Sequence, residues 1–277
     1  MNANIILGIK YLEKALVIRK DRSQETARIL FGLGEINLYK SGLSNGFESL
    51  NESLEIWREL GNLKEQAIIL QSLSLQEYSK NNYDVGLKYN EQSLELARLT
   101  GNQGLIVYCT AYICFGHICL NNIIEAKLMA EELLKSSKEL NQTAGILNGY
   151  HFLGDTALIS GDYKKAELAY AEGMKTSYQS AEMFMALQDM RGVAMSVAGQ
   201  SKFAKTIRLN AASLEKAKKL GIVLPDPGVK FWGDLLRKYI HDIRKKIPKE
   251  QIEQFEEEGK NMEFEAAIEY ALDFNRD

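Results

Sequence analysis

The sequence predicts an all-α solenoid of stacked helical hairpins closed by a helical cap, and three observations predict it. The chain repeats itself at a fixed period of 40 residues. Apolar residues within each period recur at three- and four-residue spacing, and the alternation expected of strands is absent. The 277 residues include only three prolines, and no Ser/Gly/Pro-rich linker interrupts them. A unit of this size buries its apolar face only by stacking on its neighbours.

Taken in order, the stretch "GIKYLEKALVIRK", Gly8 to Lys20, aligns with "GLKYNEQSLELAR", the second helix of a later unit. Residues 1–22 therefore read as a lone helix from an incomplete repeat. The expectation is that the chain is a piece of a longer protein, or pairs with something at this end. Five ungapped units follow: 23–62, 63–102, 103–142, 143–182 and 183–222.

Their eleventh column is apolar (Leu33, Leu73, Ile113, Leu153, Val193), and the next is mostly small (Gly34, Ser74, Cys114, Gly154, Ala194). Small residues suit a place where two helices approach closely. Column 21 is bulky (Leu43, Tyr83, Ile123, Tyr163, Phe203), and column 24 is small again (Gly46, Gly86, Ala126, Ala166, Thr206). Turn signals such as "KNNY", "LNNI" and "SGDY" lie between, giving helix, tight turn, helix.

These columns resemble the tetratricopeptide repeat, with Leu153-Gly154 followed by Ala166 twelve residues after the glycine. The resemblance covers Ser23 to Ile222 and implies a right-handed superhelix whose first helices line a concave groove. The unit departs from the family's usual length of about 34 residues. In place of the family's closing proline, column 36 carries Arg58, Arg98, Lys138, Tyr178 and Lys218. A basic residue there complements the dipole of a long second helix.

After "GIVLPDPG", Trp232, Leu235, Leu236, Tyr239, Ile240 and Ile243 form an apolar stripe at helical spacing. Pro248 ends that helix, Ile252 and Phe255 mark a shorter one, and Phe264, Ala267, Ile268, Ala271 and Leu272 mark the last. Residues 223–277 thus read as a cap, with Gly259-Lys260 as a helix stop. The tail also looks like the end of tetratricopeptide-like arrays in bacterial LuxR-type and signal-transduction ATPase regulators, through Pro225, Gly259-Lys260, Met262 and "EAAIEYAL". It departs from them at Glu256 and Glu263. That resemblance implies a sensor or scaffold arm.

Composition narrows the function classes. A net charge of -3 and a pI near 5.8 argue against a dedicated nucleic-acid or anionic-membrane binder. Lys230 to Lys249 holds seven basic and two acidic residues, and Glu250 to Asp277 ten acidic and two basic. This division is read as solvated helix surface ahead of a docking face for another domain. With no secretory leader or membrane span in the sequence, the expectation is a soluble, cytoplasmic protein.

Cys109, Cys114 and Cys119 are five apart, so each step turns a helix by about 140° and the three thiols do not share a face. His117 near Cys114 does not complete a zinc site. No phosphate-cradling Gly-x-x-x-x-Gly-Lys-Ser/Thr loop occurs. Neither a cofactor nor enzymatic activity is expected.

Tyr78, Tyr108, Phe115, His151, Asp155 and Arg191 lie on the columns that the resemblance assigns to the groove. Amphipathic aromatics and Arg concentrate binding energy at interfaces. The alternative for each is packing between hairpins. His151 and Asp155, four apart, share a helix face and can orient each other. The Lys/Asn set of chaperone-binding family members is missing from these columns. The expected function is binding of a protein, peptide or small effector as the arm of a bacterial regulator, with other domains of the same polypeptide as further partners. The alternative is a free-standing adaptor or peptide receptor.

Overall fold

The computed structural model describes residues 3–19, 21–38, 45–224 and 230–275. Leu43 and Pro225 lie outside the described residues. The fold is all-α, with helices packed as sequential antiparallel pairs. Among the described residues no helix is long and apolar enough to cross a membrane. The chain divides into two compact units, Met1–Gly116 and His117–Asp277.

The first unit opens with α1 (Ala3–Ile18), which packs on α2 (Gln24–Leu38). α2 pairs with α3 (Asn45–Glu59), and α4 (Leu63–Ser79) with α5 (Tyr83–Leu99). Ala27, Leu30, Leu50, Leu54, Trp57 and Leu73 are central to its buried core.

α6 (Gln103–Cys119) contributes most of its length to the first unit and its last turn to the second. The second unit continues with α7 (Ile123–Glu139), α8 (Thr143–Ile159), α9 (Tyr163–Gln179), α10 (Met183–Gly199) and α11 (Phe203–Leu220). Its core joins Tyr170, Met174, Leu187, Val193 and Val197 to Trp232, Tyr239 and Ile268 of the C-terminal helices.

The connectors explain the regularity. From α4 onward each hairpin turns through one residue in the left-handed region: Asn81, Gly101, Asn121, Asn141, Gly161, Ala181, Ser201 and Gly221. Gly and Asn are the residues that tolerate this conformation best. At the end of α4, the Asn82 amide donates to the Glu77 carbonyl and the Asn81 amide to the Tyr78 carbonyl, satisfying groups the helix end leaves open. A further device recurs within hairpins: Ser53, Ser93 and Ser213 each donate a hydroxyl to a carbonyl 26 residues earlier, at Ala27, Ala67 and Leu187.

The stripe from Trp232 to Ile243 is not one plain α-helix. α12 (Lys230–Leu236) widens into a π-helical turn at Arg237–His241 and then tightens into a 3-10 turn at Asp242–Lys246. Within the π turn Tyr239 and Ile240 are buried, continuing the buried pair Leu235 and Leu236, while Arg237 and Lys238 are exposed. α13 (Lys249–Lys260) packs on α11, and α14 (Phe264–Leu272) touches α9, α10 and α11. Gly259 does more than stop a helix: a Cβ there would stand 2.3 Å from the Arg208 carbonyl oxygen, so glycine permits the approach of α13 to α11.

Candidate functional sites

In the first unit, α6 presents aromatics at positions 108, 112 and 115, four and three residues apart on one helix face. Tyr108 is 40% exposed, and Phe115 is half-buried. The rings of Tyr108 and Tyr112 lie 4.7 Å apart, and the Tyr108 hydroxyl donates to that of Tyr112 at 3.2 Å. Two χ angles fix such rings, so they offer contact area at small entropic loss.

Tyr78 is placed differently. Its side chain is buried, wedged between Gly86 of α5 and Gly116 of α6. Its hydroxyl donates to the Tyr112 carbonyl at 3.1 Å and accepts from Asn90 Nδ2 at 3.3 Å, and its ring centroid lies 5.4 Å from that of Phe115. Tyr78 therefore supports Phe115 from beneath.

In the second unit, His151 and Asp155 belong to a buried polar cluster. His151 Nδ1 lies 2.7 Å from Asp189 Oδ1, and Nε2 lies 3.7 Å from Asp155 Oδ2. The Tyr170 hydroxyl donates to Asp155 Oδ1 at 2.5 Å. Trp232 of α12 lies against the imidazole with ring centroids 5.4 Å apart. The imidazole is 14% exposed, and both carboxylates are fully buried.

Charge pairing holds the cluster together. Burial by itself would depress the His151 pKa, but Asp155 and the hydrogen-bonded Asp189 reverse this and raise it to about 9. Burial raises Asp189 to about 6 against the pull of His151. It also raises Asp155, against His151 and the Tyr170 hydrogen bond. Tyr170 is raised by burial and then by Asp155. The imidazolium donates to one carboxylate and balances the field of both.

Arg191 is buried as well, so Tyr78, Asp155 and Arg191 are interior side chains, packed between helices and not presented on a groove. The physical reason in the second unit is α12, whose Trp232 covers the face that His151 would otherwise present. Asp189, Tyr170 and Trp232 were missed. Asp189 had a signal: its column reads Ile29, Ile69, Cys109, Gly149, Asp189, an acid among apolar or small residues. Cys109 and Cys114 are buried, and burial raises the Cys109 and Cys119 thiols. Among the described residues, no three His, Cys, Asp or Glu side chains gather as a metal ion requires.

No family model matches the chain, and no curated protein matches its sequence. The solved structures that share the fold include the following two. Aspartyl phosphate phosphatase F from Bacillus subtilis aligns with a TM-score of 0.69 at 15% identity, covering 92% of this chain and 65% of that one. A Rap protein complexed with competence and sporulation factor aligns with a TM-score of 0.60 at 14% identity, covering 98% of this chain and 85% of that one. The chain thus spans about two thirds of the first structure's length. The likeness makes the fold TPR-like, of the kind found in Rap proteins.

Proposed function

We propose that this chain is the binding module of a bacterial signalling receptor, recognising a peptide or protein partner through the aromatic face of α6. The observation that carries the reading is the Tyr108–Tyr112–Phe115 stripe, braced from below by Tyr78. Partly exposed, laterally supported aromatics are the residue types from which interface hot spots are built. The Rap protein complexed with a factor is an instance of this fold engaged with a partner.

Those likenesses favour a free-standing receptor over an arm of a LuxR-type or ATPase regulator, whose support is the tail motif. His151, Asp155 and Arg191 enter the proposal as a supporting bed that fixes α8 and α10. Binding without catalysis is the reading, and the phosphatase named among the structures makes it worth testing. Turnover of an aspartyl-phosphorylated protein by the purified chain would overturn that part.

The binding reading is tested by selecting from a random dodecapeptide library on the immobilised chain. Enriched peptides are expected to lose at least tenfold in affinity with Tyr108→Ala combined with Phe115→Ala, while helical circular dichroism is retained. Selected peptides that bind the double variant as tightly as the parent would remove the α6 face from the proposal.

A further inference from the structure

The repeat places two equivalent grooves side by side in the second unit, and the chain fills one of them itself. α14 lies in the groove formed by α9 and α11 over α10. It runs antiparallel to α11: Phe264 sits under the Lys216 ammonium near the C-terminal end of α11, and the Asp273 carbonyl accepts from Lys205 near its N-terminal end at 2.6 Å. Tyr178 brackets the first turn, its ring beside Phe264 and its hydroxyl donating to Glu265. Arg208 donates to the Tyr270 hydroxyl at 3.2 Å.

Forty residues earlier, the groove between α7 and α9 over α8 is an open cavity of about 450 Å³. Leu153 and Ala157 on its floor are only partly buried, whereas their counterparts Val193 and Val197 in the α9/α11 groove are 0% exposed. Leu168, the counterpart of Arg208, lines the cavity and is 51% exposed. Lys165 stands where Lys205 stands and holds a surface ion pair with Asp162, a contact of small net worth. Lys138 stands where Tyr178 stands and lies over Tyr150, on the cavity wall.

We infer that the α7/α9 groove is a docking site for a short amphipathic helix of a partner protein, bound in the direction that α14 takes next door. The columns specify its chemistry. Apolar residues at i, i+3, i+4 and i+7 cover Leu153 and Ala157, as Phe264, Ala267, Ile268 and Ala271 cover the adjoining groove. An acidic residue in the first turn meets Lys138, and the final carbonyls meet Lys165, where a cation complements the helix dipole. Leu168 in place of Arg208 selects an apolar residue where α14 has Tyr270.

The test uses the full chain and a fluorescein-labelled synthetic peptide spanning residues 262–274 with Tyr270→Leu, followed by anisotropy. Saturable one-to-one binding is expected. Leu168→Asp should weaken it at least tenfold, and Lys165→Glu severalfold. Lys165 is exposed, so its variant keeps the test open should Leu168→Asp fail to fold. The same peptide with Ile268→Asp should not bind. Absence of saturable binding, or binding that Leu168→Asp and Lys165→Glu leave unchanged because the peptide displaces α14, would overturn the inference. A dimer of the chain that Leu168→Asp dissociates in sedimentation would also overturn it, assigning the groove to a second copy.

Discussion

Each unit holds a tyrosine wedged between two glycines: Tyr78 between Gly86 and Gly116, and Tyr170 between Gly154 and Gly192. A Cβ on any of these glycines would come within 2.6 Å of the tyrosine, so the rings occupy the space that side chains vacate. The two differ at the hydroxyl. Tyr78 ends on a backbone carbonyl and an amide, whereas Tyr170 ends on Asp155 and, through it, on His151 and Asp189. One packing device thus serves as a neutral wedge in one unit and as the wall of a buried charge network in the other. A neutral hydrogen bond contributes about 1 kcal/mol, while a buried charge left without its partner costs several times more.

The largest test of this contrast is His151→Ala, which leaves Asp155 and Asp189 without their cation. It should destabilise the second unit by about 3–5 kcal/mol and the first by little. Trp57 and Trp232 give one fluorescent reporter per unit, so Trp57→Phe and Trp232→Phe backgrounds follow the unfolding of each unit by itself. Equal losses in both units would dissolve the contrast.

The pH dependence should show nearly as much. The folded pKa of His151, about 9, lies above its ordinary 6.5, so its stabilisation is fully present below 6.5 and is lost as the pH rises through 9. The loss is roughly 3 kcal/mol. Asp189, raised from 3.8 to about 6, acts in the same direction at lower pH, because between those values the unfolded chain releases a proton that the folded chain keeps. Denaturant melts should therefore show the Trp232-reported unit weakening from pH 6 to pH 9, and a flat profile would refute the assigned charge pairing.

Removing single hydroxyls gives a finer comparison. Tyr170→Phe deprives a buried carboxylate of a donor and should cost about 2 kcal/mol, whereas Tyr78→Phe should cost about 1 kcal/mol. The smallest effects lie in the turns. Ala181 and Ser201 occupy the left-handed region without the tolerance of Gly or Asn. Ala181→Gly should raise stability by about 1 kcal/mol, and Asn81→Gly should change it by no more than a few tenths, measured by urea melts.

Legibility differed between fold and site for a physical reason. Periodicity reports which residues face a neighbouring helix, and so columns 11 and 12 implied the hairpins directly. It does not report what returns from a distance to cover a face. Trp232 reaches His151 from 81 positions away and covers most of a residue that the columns place on a groove. The i, i+4 rule joined His151 to Asp155 but could not reach Asp189, which stands on another helix, 38 residues on. The π turn was likewise hidden, because a stripe at three- and four-residue spacing does not distinguish an α-helix from one widened by a turn.

From α4 to α10 every helix holds 17 residues and every connector three. The chain therefore behaves like a ruled tape. A cut and rejoin at two connectors 40 residues apart meets the same backbone conformation on both sides, so variants longer or shorter by a whole hairpin keep their register. A single inserted residue within a helix, by contrast, turns everything beyond it by about 100° and exchanges buried faces for exposed ones. Change by whole hairpins is thus the route by which such a sequence lengthens or shortens without losing its core.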